Sequence, residues 1–222
     1  MGAAQEICPE NDYVQDEIVN VHNSFRRAVF PDATDMVMME YDADIAHIAQ
    51  AWVDNCILAH GPPLTRMLGG YELGENLFYS TSHPRSWTEV ITAWHNEVDH
   101  YQYPIGSTTG AAIGHYTQVV WNTSYKVGCG VTLCRGNTFL YGCQYFRAGN
   151  VKGYPPYTAG ISCAACRSAP LDRLCSPTDV CPEVNHFINC PAWKNLFGCD
   201  KEWVQRYCPA SCHCPNKIIS IL

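Results

Sequence analysis

Fourteen cysteines in 222 residues, an even number, constrain this chain more than any other feature. Thiols at that density persist as pairs only in an oxidising compartment, so the chain reads as secreted and disulfide-stapled. They are unevenly spread. Five lie before residue 160 (Cys8, Cys56, Cys129, Cys134, Cys143) and nine lie between Cys163 and Cys214. A segment of about 150–160 residues can close its own apolar core, whereas one near 50 residues usually needs staples. The density changes just past Gly153-Tyr154-Pro155-Pro156-Tyr157, which reads as an extended linker. The chain therefore divides into a body, residues 1–158, a cysteine-containing hinge, residues 159–180, and a small module, residues 181–222. A zinc ribbon fits poorly, because Cys163-Ala164-Ala165-Cys166 has no second C-x-x-C at ribbon spacing.

Other classes fall away quickly. A net charge of −7 gives no overall basic field to gather phosphates, which argues against nucleic acid as a partner. No apolar run approaches the roughly 18–20 residues that span a bilayer, so no transmembrane segment is expected. The N-terminal stretch has neither the basic start nor the apolar core of a signal peptide and reads as that of a mature chain. With 47% hydrophobic and 16% charged residues, the chain has enough apolar surface to fold rather than stay disordered.

Periodicity supplies the elements. Val14, Ile18, Val21 and Phe25 recur at helical spacing behind Asp12, a plausible N-cap, and Pro31 ends that helix. A second helix fits Asp42 to Cys56, with Ile45, Ile48, Ala49, Trp52 and Cys56 on one face. A third fits Ser86 to Tyr101. Thr117 to Trp121, Lys126 to Leu133 and Thr138 to Phe146 are β-branched or aromatic runs that read as strands. Helices first and strands after predict an α+β fold with an antiparallel sheet.

Four strings stand out in order: His22-Asn23-Ser24-Phe25-Arg26, Gly74-Glu75-Asn76-Leu77, GHYTQVVW at 114–121 and YGCQYFRAGNV at 141–151. Together they resemble the CAP superfamily, which comprises cysteine-rich secretory proteins, insect venom antigens and plant pathogenesis-related proteins. The resemblance covers residues 12–155. It implies a three-layer α-β-α sandwich and a cleft tetrad of His60, Glu75, Glu97 and His115. It further implies that His60 and His115 bind zinc or another divalent cation, because neutral imidazoles ligate zinc and neighbouring carboxylates orient them. Three readings of the tetrad stay open: a mutually satisfied polar network, a divalent-metal site, and a hydrolytic site. The last would need a nucleophile, and Ser80, Thr81 and Ser82 are near in sequence. Trp52, Trp87, Trp94 and Trp121 read as core, and the resemblance makes His22 and Asn23 supports for the sheet. His47, His83, His95 and His100 read as surface residues. Asn122-Thr123-Ser124 is an N-glycosylation sequon.

The module's Cys181, Cys190, Cys199, Cys208, Cys212 and Cys214, ending in CPASCHC, resemble the cysteine-rich domain of vertebrate cysteine-rich secretory proteins and the ShK-type potassium-channel toxins of sea anemones. Spacing alone leaves their pairing open. The resemblance implies Cys181–Cys214, Cys190–Cys208 and Cys199–Cys212, and Cys56–Cys134 and Cys129–Cys143 in the body. Asp200 to Tyr207 reads as a short helix. One pair usual in the family is replaced at both ends, by Leu73 and Phe146. Pro170 stands where the hinge usually has a cysteine, which leaves three hinge cysteines and an unusual Cys8. From this balance, Cys8–Cys163 and Cys166–Cys175 are expected.

The resemblance implies a non-enzymatic role, as an ion-channel regulator or blocker that meets a channel or another membrane-protein ectodomain. Lys194, Phe197, Lys201, Trp203 and Arg206 are the candidate contacts, although the three cations also read as an ordinary solvated face. The Lys-Tyr pair of pore-plugging anemone toxins is absent, with Val204 and Gln205 at that place. The alternative is extracellular sterol or fatty-acid carriage. A zinc-dependent protease is a minor third reading.

Overall fold

The computed structural model describes residues 7–220. Helix α1, Asp12–Arg27, starts behind Asn11, so the N-cap lies one residue before the expected Asp12. Its buried stripe runs Val14, Ile18, His22, Arg26 at i, i+4 spacing, apolar at one end and polar at the other. Strand β1, Glu40–Tyr41, leads into α2, Ala43–Val53, whose first turn is capped by the Asp42 carboxylate accepting from Asp44 N and Ile45 N, both at 3.1 Å. A small hairpin of β2, Met67–Leu68, and β3, Tyr71–Glu72, precedes β4, Gly74–Thr81. Helix α3, Trp87–His95, opens with a Ser86–Glu89 capping box and tightens into a 3-10 turn, Asn96–His100. A second hairpin, β5 (Tyr101–Gln102) with β6 (Gly106–Ser107), leads to α4, Gly114–Val119, and then to β7, Lys126–Cys134, and β8, Thr138–Phe146.

The sheet runs β1-β7-β8-β4. Its long pairs are antiparallel, as expected, but the two-residue β1 pairs with β7 in parallel, so the sheet is mixed. Helix α2 packs on one face; α1, α3 and α4 form the layer on the other. The Gly128-Cys129-Gly130 stretch of β7 lets α2 lie directly on the sheet. A Cβ at Gly128 would come within 2.1 Å of Ala46 N, and one at Gly130 within 2.5 Å of Gln50 Cα. Trp87, Trp94 and Trp121 are almost wholly buried and Trp52 nearly so, as their inward spacing predicts.

The run expected as a strand at Thr117–Trp121 is instead mostly helix α4. Residues 116–121 are all buried, and an apolar run covered on every side shows no period to separate helix from strand. The Gly153–Tyr157 stretch is likewise not a free linker. Pro156 O accepts from Asn122 N at 2.7 Å, Tyr157 is buried, and its ring stacks on Tyr103 at 5.0 Å. Beyond it, Thr34 and Ala33 hold Thr158 and Ala159 by a backbone bond and a β-bridge.

The module carries three short helices: α5, Cys190–Phe197, α6, Glu202–Tyr207, and α7, Pro209–His213. Only α6 was foreshadowed, and it begins later than Asp200. Six of the seven expected disulfides are present: Cys56–Cys134, Cys129–Cys143, Cys166–Cys175, Cys181–Cys214, Cys190–Cys208 and Cys199–Cys212. Leu73 and Phe146 lie one step beyond the Gly74–Tyr145 pair of the β4–β8 ladder, so the lost cysteine pair is replaced by two neighbours. The seventh bond, Cys8–Cys163, is not formed, and both residues are free thiols. The reason is anchorage. The Cys8 segment is held where Tyr41 OH and Gln15 donate to Pro9 O and Trp87 Nε1 donates to Ile7 O. Cys163 N bonds Ala33 O, at the other end of the 33–41 segment.

Candidate functional site

The four tetrad residues come from four different places: His60 from the loop after α2, Glu75 from β4, Glu97 from the 3-10 turn after α3, and His115 from α4. The structure brings them together as two imidazole–carboxylate pairs. His60 Nδ1 bonds Glu75 Oε1 at 2.9 Å, and the same oxygen accepts from Gly61 N at 3.0 Å. The second Glu75 oxygen accepts from Gln144 Nε2 at 3.1 Å, so a buried carboxylate is served by three donors. In the other pair, His115 Nδ1 bonds Glu97 Oε1 at 2.7 Å. Glu97 Oε2 accepts the backbone amides of His115 and Tyr116 at 2.8 and 3.1 Å. Burial pushes the Glu97 carboxyl up, but the His115 side chain and those amides outweigh it and hold the group below its ordinary value. Asn76, next to Glu75 on β4, donates to His115 O at 3.1 Å and so joins the two pairs through the strand.

Each carboxylate thus engages Nδ1 and leaves Nε2 as the remaining ring nitrogen. That is how carboxylates orient metal-binding histidines. The His60 side chain is 60% exposed and that of His115 35%, so both rings are open to solvent. Among the described residues, no three metal-ligating atoms of the tetrad lie within 4.8 Å of one another. In donor chemistry, carboxylate-held imidazoles are of the kind that suits zinc, and among the described residues the tetrad forms no closed three-ligand cage. His60 and Glu75 line a cleft of about 270 Å³ together with Arg66, Gln118 and Asn150. Asn150 in turn bonds Gly114 O and Thr117, on either side of His115. Ser80 donates to His83 O at 2.8 Å and, with Thr81, sits at the far end of β4 from Glu75. Five residues of strand, about 17 Å, separate Ser80 from Glu75.

The other sequence-flagged residues are also placed. His22 spans from Ile18 O (2.8 Å) to Tyr145 OH (3.0 Å), and Asn23 exchanges two bonds with the Met39 backbone, so both tie α1 to its surroundings. Arg26, quoted only as part of a motif, is wholly enclosed. Its guanidinium donates to the carbonyls of Val37, Val119, Trp121 and Asn122. His47 and His83 are exposed, but His100 is half-buried and so is His95, stacked on Phe25 at 3.8 Å. In the sequon, Asn122 Nδ2 donates to Asp35 at 2.9 Å, and the Thr123 hydroxyl is buried against Ser220.

On the module, Phe197 and Trp203 are exposed members of one connected series of rings. Tyr207, Phe187, Trp193, Trp203 and Phe197 follow one another at centroid distances of 5.6, 5.4, 5.5 and 5.2 Å. Sequence reasoning missed Phe187, Trp193 and Tyr207, because their adjacency depends on how the disulfides fold the module. Lys194 is not a free cation, since its Nζ donates to Ser211 O at 2.9 Å. Lys201 pairs with Asp200 at 3.2 Å, and Arg206 lies 6.0 Å from the Tyr207 ring centre.

Among the described residues, no helix is long and apolar enough to cross a membrane. Residues 19–146 match the Cysteine-rich secretory protein family (CAP), and residues 163–219 match the family described as Crisp. Among solved structures, Na-ASP-1 is 30% identical with a TM-score of 0.65; the match covers 76% of this chain and 49% of that one, so this chain spans about half the length of that relative. The crystal structure of NaASP2 with Zn2+ is 29% identical with a TM-score of 0.64, covering 75% of this chain and 96% of that one. Venom allergen-like protein 4 of Schistosoma mansoni shares the fold at 23% identity and a TM-score of 0.56, covering 66% of this chain and 95% of that one. The two matched stretches follow one another from within α1 to beyond the last cysteine, and the chain belongs to the cysteine-rich secretory protein family.

Proposed function

We propose that this is a secreted, non-enzymatic binding protein whose C-terminal module regulates an ion channel or another membrane-protein ectodomain. The observation that carries this reading is the five-ring series on the module, exposed at every ring but the half-buried Trp193. A small body cross-linked by three disulfides loses little entropy on binding, and connected aromatic rings offer a large, rigid contact area. Phe197 (47% exposed) and Trp203 (39% exposed) form its outer end. Lys201 and Arg206 flank it, while Lys194 holds the module's own backbone. Recordings from a panel of channels should show current changed by the intact protein. Phe197→Ala with Trp203→Ala should weaken the effect at least tenfold, since central aromatic contacts are worth about 2 kcal/mol or more. No current change on any channel, or an unaltered dose–response in the double variant, would remove this reading.

We further propose that the CAP cleft binds zinc or a similar divalent cation through Nε2 of His60 and His115. The paired carboxylates and the zinc-bound relative NaASP2 support this. When bound, the ion would supply positive charge and open coordination positions for an anionic or carbonyl group. Glu75 and Glu97 keep the imidazoles turned with Nε2 outward. Zinc titration by calorimetry should give one site in the intact protein. His60→Ala with His115→Ala should abolish it, and Glu75→Gln should weaken it by about 10–100-fold. Equal binding by the double variant would place zinc elsewhere.

A further inference from the structure

We infer that Cys163, Cys166 and Cys175 form a thiol–disulfide exchange site at the junction of the sandwich and the module. Their three sulfur atoms lie within 4.8 Å of one another. Cys166 and Cys175 are bonded, and Cys163 is a half-buried free thiol beside them. With two of the three sulfurs joined to each other, the cluster is not a thiolate metal site. Its chemistry is attack of a thiolate on a neighbouring disulfide.

The backbone holds the attacking sulfur in place. Cys163 N bonds Ala33 O at 3.1 Å, Ala165 N bonds Thr34 O at 2.9 Å, and Cys166 N closes the Cys163–Cys166 turn at 3.0 Å. The Ser162 hydroxyl donates to Cys163 Sγ at 3.8 Å. Cys175 is fixed on its other side, through Cys175 N to Met36 O at 2.8 Å and Met38 N to Cys175 O at 2.9 Å. In the exchange, Cys163 loses its thiol proton to solvent and its sulfur bonds Cys175 Sγ. The Cys166–Cys175 bond breaks, and its electron pair leaves on Cys166, which takes up a proton. No external oxidant or reductant is consumed. Cys166 is the favoured leaving group because it is half-buried, whereas Cys175 is wholly buried and would carry its charge out of water.

Moving the bond changes what ties the module to the body. Residues just after Cys166 clasp the module. Arg167 N and Ser168 N bond the buried Asp179 carboxylate at 3.1 and 3.0 Å, and Arg167 reaches Asn216 O at 2.7 Å. Asp179 O accepts from Ile218 N at 2.9 Å. With Cys166–Cys175 closed, this clasp is covalently joined to the stretch that packs on Met36 and Met38. With Cys163–Cys175 closed, the tie passes through Cys163 instead, and the closed loop that carries Arg167 and Ser168 lengthens by three residues, so the clasp is held more loosely.

The test is timed alkylation of the intact, non-reduced protein with iodoacetamide at mildly alkaline pH, followed by acid quench and disulfide mapping by mass spectrometry. Label should appear on Cys166 as well as Cys163, together with a Cys163–Cys175 linked peptide. Cys163→Ser should lose the Cys166 label entirely while retaining Cys166–Cys175. Cys166→Ser should contain Cys163–Cys175, which shows that the alternative bond closes within the fold. Label confined to Cys163 and Cys8 at all times, or Cys163 found bonded to Cys8, would overturn the inference.

Discussion

Replacing Arg26 with methionine is expected to lower the unfolding free energy by about 3–5 kcal/mol, the loss expected when buried carbonyl acceptors are stripped of a charged donor. Arg26 sits at the C-terminal end of α1 and donates five hydrogen bonds, at 2.6–3.0 Å, to the carbonyls of Val37, Val119, Trp121 and Asn122. Those carbonyls belong to the irregular segments leading into β1 and out of α4. Asn122 O also accepts from Val37 N at 3.1 Å and Trp121 O from Ser124 N at 3.2 Å, so the planar fork adds to a sparse backbone pairing and is the donor given for Val37 O and Val119 O. Burial disfavours the charged guanidinium, with Tyr145 and Asp35 acting against that, and holds it well below its ordinary range at about 9. Methionine fills much of the volume but takes the fork's donors from Val37 O and Val119 O, each at a cost of about 1–3 kcal/mol before relaxation, while Asn122 O and Trp121 O keep their backbone donors. Lysine keeps the charge but cannot reproduce the fork, so Arg26→Lys should recover little of the loss. Guanidinium unfolding followed by tryptophan fluorescence measures this, since Trp87, Trp94 and Trp121 report on the body. A loss below about 1 kcal/mol for Arg26→Met, within the ordinary range for a surface change, would contradict this account.

How much of this was legible in the sequence follows from how each element is stabilised. Helices α2 and α3 show in the sequence through the helical spacing of their inward residues, and the structure adds the local caps at Asp42 and Ser86–Glu89 that fix where each begins. β7 and β8 show as β-rich runs on either side of a Gly-Asn turn, and Thr138 to Phe146 is the whole of β8. α4 misleads because burial on every side erases periodicity. The tetrad is legible only through motif resemblance. Nothing local to His60 says that Glu75, fifteen residues on, will fix its ring. The polar half of α1's buried stripe is likewise hidden, since an i, i+4 pattern ending in His22 and Arg26 looks like a helix turning its face to water. The Cys8–Cys163 expectation rested on counting thiols, and a count carries no distance. The fold instead leaves Cys163 beside a disulfide that already exists.

The second large effect is an acid limb in the stability profile, caused by His22. Its Nδ1 bonds Ile18 O, and its Nε2 bonds Tyr145 OH inside the core. Burial drives its pKa from 6.5 down to about 4; the Ile18 bond opposes this and Arg26 adds to it. The neutral ring is therefore the folded form. Above about pH 6.5 His22 is neutral whether the chain is folded or not, and its contribution is fully present. Between 6.5 and 4 the unfolded chain takes up a proton that the folded chain refuses, and stability falls with pH by on the order of 3 kcal/mol. His95, whose pKa is also lowered by burial, acts with the same sign. Glu97 and Asp42, both held low, withdraw their contributions mainly below about pH 4.5, so they add little inside this window. His22→Gln should be less stable at pH 7, because it cannot span both partners. Its unfolding free energy should then fall much less than the wild type's from pH 6.5 to 4, narrowing the gap between them by about 3 kcal/mol. Parallel pH profiles for the two proteins would mean that the enclosed imidazole takes its proton as readily folded as unfolded, and that the core around Tyr145 is open to water.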